Sequence, residues 1–178
     1  MAEPVNVLPE KLLDTATLAA TLAQLDVPYL RTPTSAEPLP LDPAALIAAL
    51  AQHPSPRVRE ALIPLFLRHP EFARNVPDVL VTLPPAAGLT LRHLYTAAVY
   101  LQQLWHGKLE MYLGVLPALP DYFGQSEWGL PAPQEHHGEA GLRLLAEHFR
   151  ARTGDNWLSM YQTTISLFLN QLRLEAHG

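Results

Sequence analysis

The sequence predicts an all-α fold, a compact irregular bundle of about six or seven helices. Three observations predict it. Apolar residues recur at steps of three and four along most of the chain, and helix start signals such as Asp42-Pro43 stand where those stripes begin. No run shows sustained alternation of period two, so a sheet has no source.

The elements follow in order. Leu12 to Leu25 reads as a first helix, preceded by Pro9, with Leu18, Leu22 and Leu25 on one stripe. Residues 26–43 carry Pro28, Pro33, Pro38 and Pro40, which predicts an extended linker and the least fixed part of the chain. Asp42 then caps a helix with Pro43 at its first position, running to Ala51. His53-Pro54-Ser55-Pro56 makes the next turn, with Ser55 as cap. The following helix buries Val58, Ala61, Leu62, Leu65 and Phe66, and Pro64 kinks it or ends its first half. His69-Pro70 breaks the chain before a short helical piece, Glu71 to Leu83, interrupted by Pro77.

The longest helix starts near Leu91, with Leu94, Ala98, Leu101, Trp105, Leu109 and Tyr112 on one face and Val99, Leu104 and Met111 on a second. A helix apolar on two sides is central, and Gly114 is its natural stop. Residues 115–133 form an irregular, proline-rich loop carrying Tyr122, Phe123 and Trp128. A helix from about Gln134 to Arg152 uses Leu142, Leu145 and Phe149, and Gly154 ends it. Asp155 caps the last helix, where Leu158, Tyr161, Ile165, Phe168 and Leu172 approach a heptad seam. Residues 91–113 and 156–175 are the expected central pair of a single domain spanning 1–178.

Composition narrows the function. With 48% hydrophobic and 16% charged residues, the chain can build a core. The net charge of −5 lacks the clustered basic face that nucleic acid needs, and Glu147 interrupts the basic stretch Arg143 to Arg152. Cysteine is absent, which removes disulfides, thiolate nucleophiles and Cys-based zinc sites. No basic segment followed by an apolar one marks a signal peptide, and no apolar run reaches the length of a membrane span. The expected location is the cytoplasm.

The stretch Ala44-Ala-Leu-Ile-Ala-Ala-Leu-Ala-Gln-His-Pro-Ser-Pro-Arg-Val-Arg-Glu-Ala-Leu-Ile-Pro-Leu-Phe-Leu resembles one HEAT repeat. The likeness lies in the first helix, the turn, Val58-Arg59 early in the second helix, and Ala61 and Leu65; His53 stands near the family's usual Asp. No second copy follows, which implies a HEAT-like helix pair of about residues 43–69 set in a bundle. Pro56-Arg-Val-Arg-Glu-Ala-Leu-Ile-Pro-Leu-Phe-Leu-Arg, Tyr95-Thr-Ala-Ala-Val-Tyr-Leu-Gln and Asn156-Trp-Leu-Ser-Met-Tyr resemble segments of uncharacterised bacterial helical proteins that accompany nucleotidyltransferase-like proteins, as in toxin–antitoxin pairs. That resemblance implies an antitoxin-like or accessory role.

Residue chemistry offers few catalytic candidates. Glu135 and Glu139 have the i, i+4 spacing of helical metal ligands, with His136 and His137 between them; a polar first turn complementing the helix dipole is the plainer reading. His53 and His69 flank the HEAT-like second helix and either cap carbonyls or fall in one cleft, whereas His93 and His106 read as surface or boundary residues. There is no G-x-S-x-G, Walker-type or G-x-G-x-x-G motif; the nine glycines read as caps and breaks. Arg57, Arg59 and Arg68 form a basic strip that suits a partner carboxylate or phosphate, or pairs with Glu60 and Glu71 on a solvated face. Tyr122, Phe123 and Trp128 either anchor an interface or fold down as a lid.

The expectation is therefore a non-catalytic protein–protein interaction protein without a cofactor. Its partner-binding residues are Arg57, Arg59, Arg68, Tyr122, Phe123 and Trp128. Its partner is another protein, nucleotidyltransferase-like by resemblance, with neither nucleic acid nor membrane, and self-association is compatible with the surface. The rival is a small metal-dependent enzyme using the Glu135–Glu139 cluster.

Overall fold

Prolines and capping side chains set where most of the helices begin. The computed structural model describes residues 14–31 and 36–178, and among them every regular element is helical. Leu12 and Leu13 of the expected first helix, and Pro33 of the expected linker, lie outside the described residues.

Helix α1 (Thr15–Gln24) starts at Asp14, whose carboxylate accepts from the Thr17 N–H at 3.0 Å. It ends in a paired turn: the Val27 N–H reaches Leu22 O at 2.9 Å and the Asp26 N–H reaches Ala23 O at 3.1 Å. Asp26 takes the left-handed conformation (φ 59°) that glycine usually supplies there. The segment after it is not loosely held. Val27, Tyr29 and Leu30 are buried in the core, because a chain with three apolar side chains in four positions can bury them without helical structure.

Helix α2 (Pro43–Gln52) is capped by Asp42, which accepts from the Ala45 N–H at 2.7 Å. Helices α3 (Pro56–Glu60) and α4 (Leu62–Arg68) are one helix interrupted at Ala61. Pro64 explains the break: it lacks an N–H for the Glu60 carbonyl, and its ring crowds that oxygen one turn upstream. Ser55 precedes α3 without a side-chain cap; its own N–H donates to His53 Nδ1 at 3.0 Å instead. Pro77 does not interrupt a helix. It sits in the first turn of α5 (Val76–Thr82), after a 3-10 turn over Pro70–Asn75.

Helix α6 (Pro85–Leu104) starts six residues before Leu91, with Pro85 in its first turn, and breaks at Trp105 before α7 (His106–Leu113). After α8 (Gly124–Trp128) and a short turn come α9 (Glu139–Thr153) and α10 (Trp157–Ala176). Asn156 caps α10, not Asp155: its side-chain oxygen accepts from the Ser159 N–H at 3.1 Å. Two broken helices and the short α8 raise the number of segments above the six or seven expected.

The centre of the bundle is α6, but its main neighbours are α4 and α9 rather than α10. Residues Leu62 to Leu67 of α4 are all buried, so this short helix is enclosed on every side. Helix α10 buries one stripe, Tyr161, Ile165, Phe168 and Leu172, and so forms an outer layer. Met111, expected on an apolar face, is 67% exposed.

Tyr100 shows how tightly α6 is enclosed. An added Cβ at Gly124, Gly138 or Gly141 would lie 2.9 Å from its hydroxyl oxygen, 2.6 Å from its carbonyl oxygen and 2.1 Å from ring Cε1 respectively. Three glycines that read as caps and breaks thus make room for one buried tyrosine. Gly141→Ala gains about 1 kcal/mol in helix propensity, whereas overpacking a ring with no free side costs roughly 1–3 kcal/mol or more. The collision at 2.1 Å places this site at or above the upper end. Thermal melting of Gly141→Ala should show a Tm lower by roughly 4–8 °C, for a net loss of about 2 kcal/mol. An unchanged or raised Tm would mean that the ring does not rest on this glycine.

Candidate functional site

The three arginines do not form one strip, since the break at Ala61 separates them into two helices. Arg57 donates to the Tyr29 hydroxyl at 2.6 Å, and its guanidinium lies 4.2 Å from that ring's centroid. Arg59 donates to the carbonyls of His53 and Pro54 at 2.8 and 2.9 Å. Arg68 pairs with Glu175 at 3.1 Å and Asp26 at 3.8 Å, not with Glu71. His69 takes Glu71 at 3.1 Å and reaches Leu25 O at 2.5 Å, so it does cap a carbonyl, at the end of α1.

The aromatic loop folds down. Tyr122 stacks on Tyr95 with centroids 5.4 Å apart, Phe123 meets Tyr95 edge-on at 6.0 Å, and Trp128 meets Phe149 edge-on at 5.4 Å. All three are half-buried. The prolines explain the hold on this segment, because their carbonyls can accept hydrogen bonds although their nitrogens cannot donate. Tyr95 donates to Pro120 O at 2.6 Å, Tyr100 to Pro131 O at 2.5 Å, and Gln102 Nε2 to Pro117 O at 3.0 Å. The Leu119 N–H returns a bond to Gln102 Oε1 at 2.7 Å.

Glu135 and Glu139 do not share a helical face. His136, His137 and Gly138 all have positive φ (50°, 54° and 82°), so α9 begins only at Glu139. Close packing of this turn on α6 at Gly138 enforces the departure from the expected helix. Glu139 pairs with Arg143 at 3.1 Å. Among the described residues, no group of three or more His, Asp or Glu side chains is placed to hold a metal ion.

Two concavities lie on either side of α3. The first is a groove of about 560 Å³ between the 28–31 segment, the start of α3 and the outer edge of α10. Leu167 and Leu174, 44% and 61% exposed, stand two turns apart on α10, with Asn170 and Gln171 between them. These four make an i, i+3, i+4, i+7 stripe, separate from the buried seam. Arg31 and Arg57 are the charged residues of the lining.

The second is an open concavity of about 480 Å³ between α3, α6, the end of α9 and the start of α10. His93 forms part of its wall. Contrary to expectation it is no surface residue: it is 3% exposed, stacked face to face on Phe149 at 3.6 Å, with Trp157 edge-on at 4.6 Å. It lies off the Leu94–Ala98–Leu101 stripe, on a third face of α6 that the α9–α10 junction covers. Only that junction, absent from any local pattern, reveals the burial. His93 Nε2 and the Tyr161 hydroxyl are 2.5 Å apart.

Desolvation, with a smaller contribution from His148, lowers the His93 pKa from 6.5 to about 3. In the unfolded chain the imidazole protonates near its ordinary pKa, while the folded chain keeps it neutral. The unfolded state therefore binds more protons between those values, and stability falls as pH is lowered through that window. Between roughly pH 6 and pH 4 this single group should cost roughly 2–3 kcal/mol. Urea unfolding at the two pH values should show that loss in the wild type and a correspondingly smaller one in His93→Phe; equal losses would place the ring in water. Compared with family models, curated proteins and solved structures, the chain matches none.

Proposed function

We propose that this chain is a non-catalytic interaction protein that holds an acidic, apolar-studded segment of another protein in the groove along α10. The exposed Leu167–Leu174 stripe carries the reading. A helix that already buries Tyr161, Ile165, Phe168 and Leu172 presents two further leucines to water, Leu167 and Leu174, at the i, i+7 spacing of helix-in-groove anchors. Charge supports it. Among the described residues the groove lining holds Arg31 and Arg57 and no carboxylate, with Glu60 beside Arg57 at 3.8 Å just outside it, in a protein of net charge −5. Arg57 is already fixed on the Tyr29 ring, so less freedom is lost when it meets a partner carboxylate.

The partner is a nucleotidyltransferase-like protein on the strength of the segment resemblance, and the role is antitoxin-like or accessory. The α2–α3–α4 unit is, in this reading, the HEAT-like pair, and it supplies Arg57 from the start of its second arm. Arg59 and Arg68 brace the pair, and Tyr122, Phe123 and Trp128 serve as a lid. No helix among the described residues is long and apolar enough to cross a membrane, and we place the work of the protein in the cytoplasm.

The test is tagged capture from the native host, comparing the wild type with Leu167→Asp/Leu174→Asp and with Val81→Asp, a control on α5. Truncating two anchors of about 1.5 kcal/mol or more each should reduce a stoichiometric partner at least roughly tenfold in the double variant. The control should retain it, and raised salt should weaken it. A partner held equally by all three forms, or no partner at native abundance, would end this reading.

A further inference from the structure

The cavity walled by His93 has features that packing alone does not require. His93 Nε2 faces the Tyr161 hydroxyl, and that hydroxyl is fully buried with no other hydrogen-bond partner among the described residues. If the phenol accepted, its own hydrogen would be orphaned in the core at a cost of about 1–3 kcal/mol. The phenol therefore donates to Nε2. In a neutral imidazole this places the remaining hydrogen on Nδ1. Nδ1 has no partner among the described residues and is not sealed in the core, so this N–H is directed at the cavity. A buried donor on the wall of a concavity of about 480 Å³, lined by both apolar and charged groups, is a binding feature, since a pocket of this size suits a small ligand.

The mouth adds charge of both signs. Arg152 and Asp155 flank it from the α9–α10 junction, and neither side chain has an ion-pair partner among the described residues. Arg152 lies over the edge of the aromatic wall, 5.9 Å from the Phe149 centroid. The other charged lining residues are occupied: Arg59 on two carbonyls, and Glu60 beside Arg57 at 3.8 Å. Leu89 and Trp157, both half-buried, supply the apolar wall for a flat ring, backed by the buried Leu94 and Phe149.

We propose that this cavity binds a free aromatic amino acid. Its carboxylate meets Arg152, its ammonium meets Asp155, its ring lies against Leu89 and Trp157, and an acceptor at the ring's far end takes the His93 Nδ1–H. Tyrosine has such an acceptor, and its own phenolic hydrogen has the Thr90 hydroxyl oxygen, one helical turn from His93 in the same lining, to donate to; phenylalanine has neither. The site is distinct from the groove on α10, so either assignment can fail without the other.

Isothermal titration of the wild-type protein tests it with four probes: tyrosine, phenylalanine, tyramine (no carboxylate) and 4-hydroxyphenylpropanoate (no ammonium). Saturable one-to-one binding of tyrosine is expected. A charged or buried hydrogen bond removed in each analogue should weaken binding by roughly tenfold or more. Arg152→Gln, an exposed change that leaves the core intact, should weaken tyrosine about tenfold while leaving tyramine unchanged. The tyrosine–phenylalanine ratio reads His93 without mutating it, and His93→Phe should erase that ratio if it folds. No saturable heat from tyrosine, tighter binding of either truncated analogue, or unchanged affinity in Arg152→Gln would overturn the proposal.

Discussion

A helix whose middle turns are buried must satisfy the polar groups it takes out of water, and α6 meets most of that requirement with the carbonyls of a proline-rich strand of chain. Tyr95, Tyr100, Gln102, Thr96 and His93 project from a helix whose middle turns are almost entirely removed from water. Thr96 bonds back to Arg92 O at 2.7 Å, and His93 meets Tyr161; the remaining three reach residues 117–131. An unpaired buried hydroxyl or amide would cost about 1–3 kcal/mol each, comparable to much of the net stability of a domain. The loop is thus as much a part of the core as the helices, and burial pushes both tyrosine hydroxyls well above their ordinary pKa.

This constraint arranges the periphery. Trp128 is carried by α8 onto Phe149, and Arg92 pairs with Glu127 across the same junction. The enclosure of Tyr100 admits α9 only through Gly138 and Gly141. With the inner layer filled, α10 closes the bundle with one stripe and keeps another for the outside. The short helix α3 then stands between the two concavities: Arg57 lines the groove, whereas Arg59 and Glu60 line the cavity. Glu60 touches both systems through Arg57, and burial raises its carboxyl pKa.

Much of the helical order was legible in sequence. Asp42-Pro43, Pro64 and Gly154 act locally, and local signals such as caps and breaks need no tertiary context. What stayed hidden depended on distant segments. The left-handed turn at His136–Gly138 follows from contact with Tyr100, thirty-odd residues earlier, and it removes the helical face on which a metal cluster would rest. His93 is buried by α9 and α10, and Arg59 is diverted to the carbonyls ending α2. The Leu167–Leu174 stripe was present in the sequence, yet periodicity cannot say which of two stripes on a helix faces inward. Enclosure of α4 on every side was likewise invisible in a seven-residue helix.

Residue-resolved hydrogen exchange at Leu119 tests the central claim most directly. Its N–H, in a segment without regular secondary structure, donates to the buried Gln102 Oε1. If the proline-rich strand is part of the α6 core, this amide exchanges only on global unfolding, with an opening free energy equal to that of the middle of α6. Exchange near the rate of an open loop, while α6 stays protected, would contradict the account.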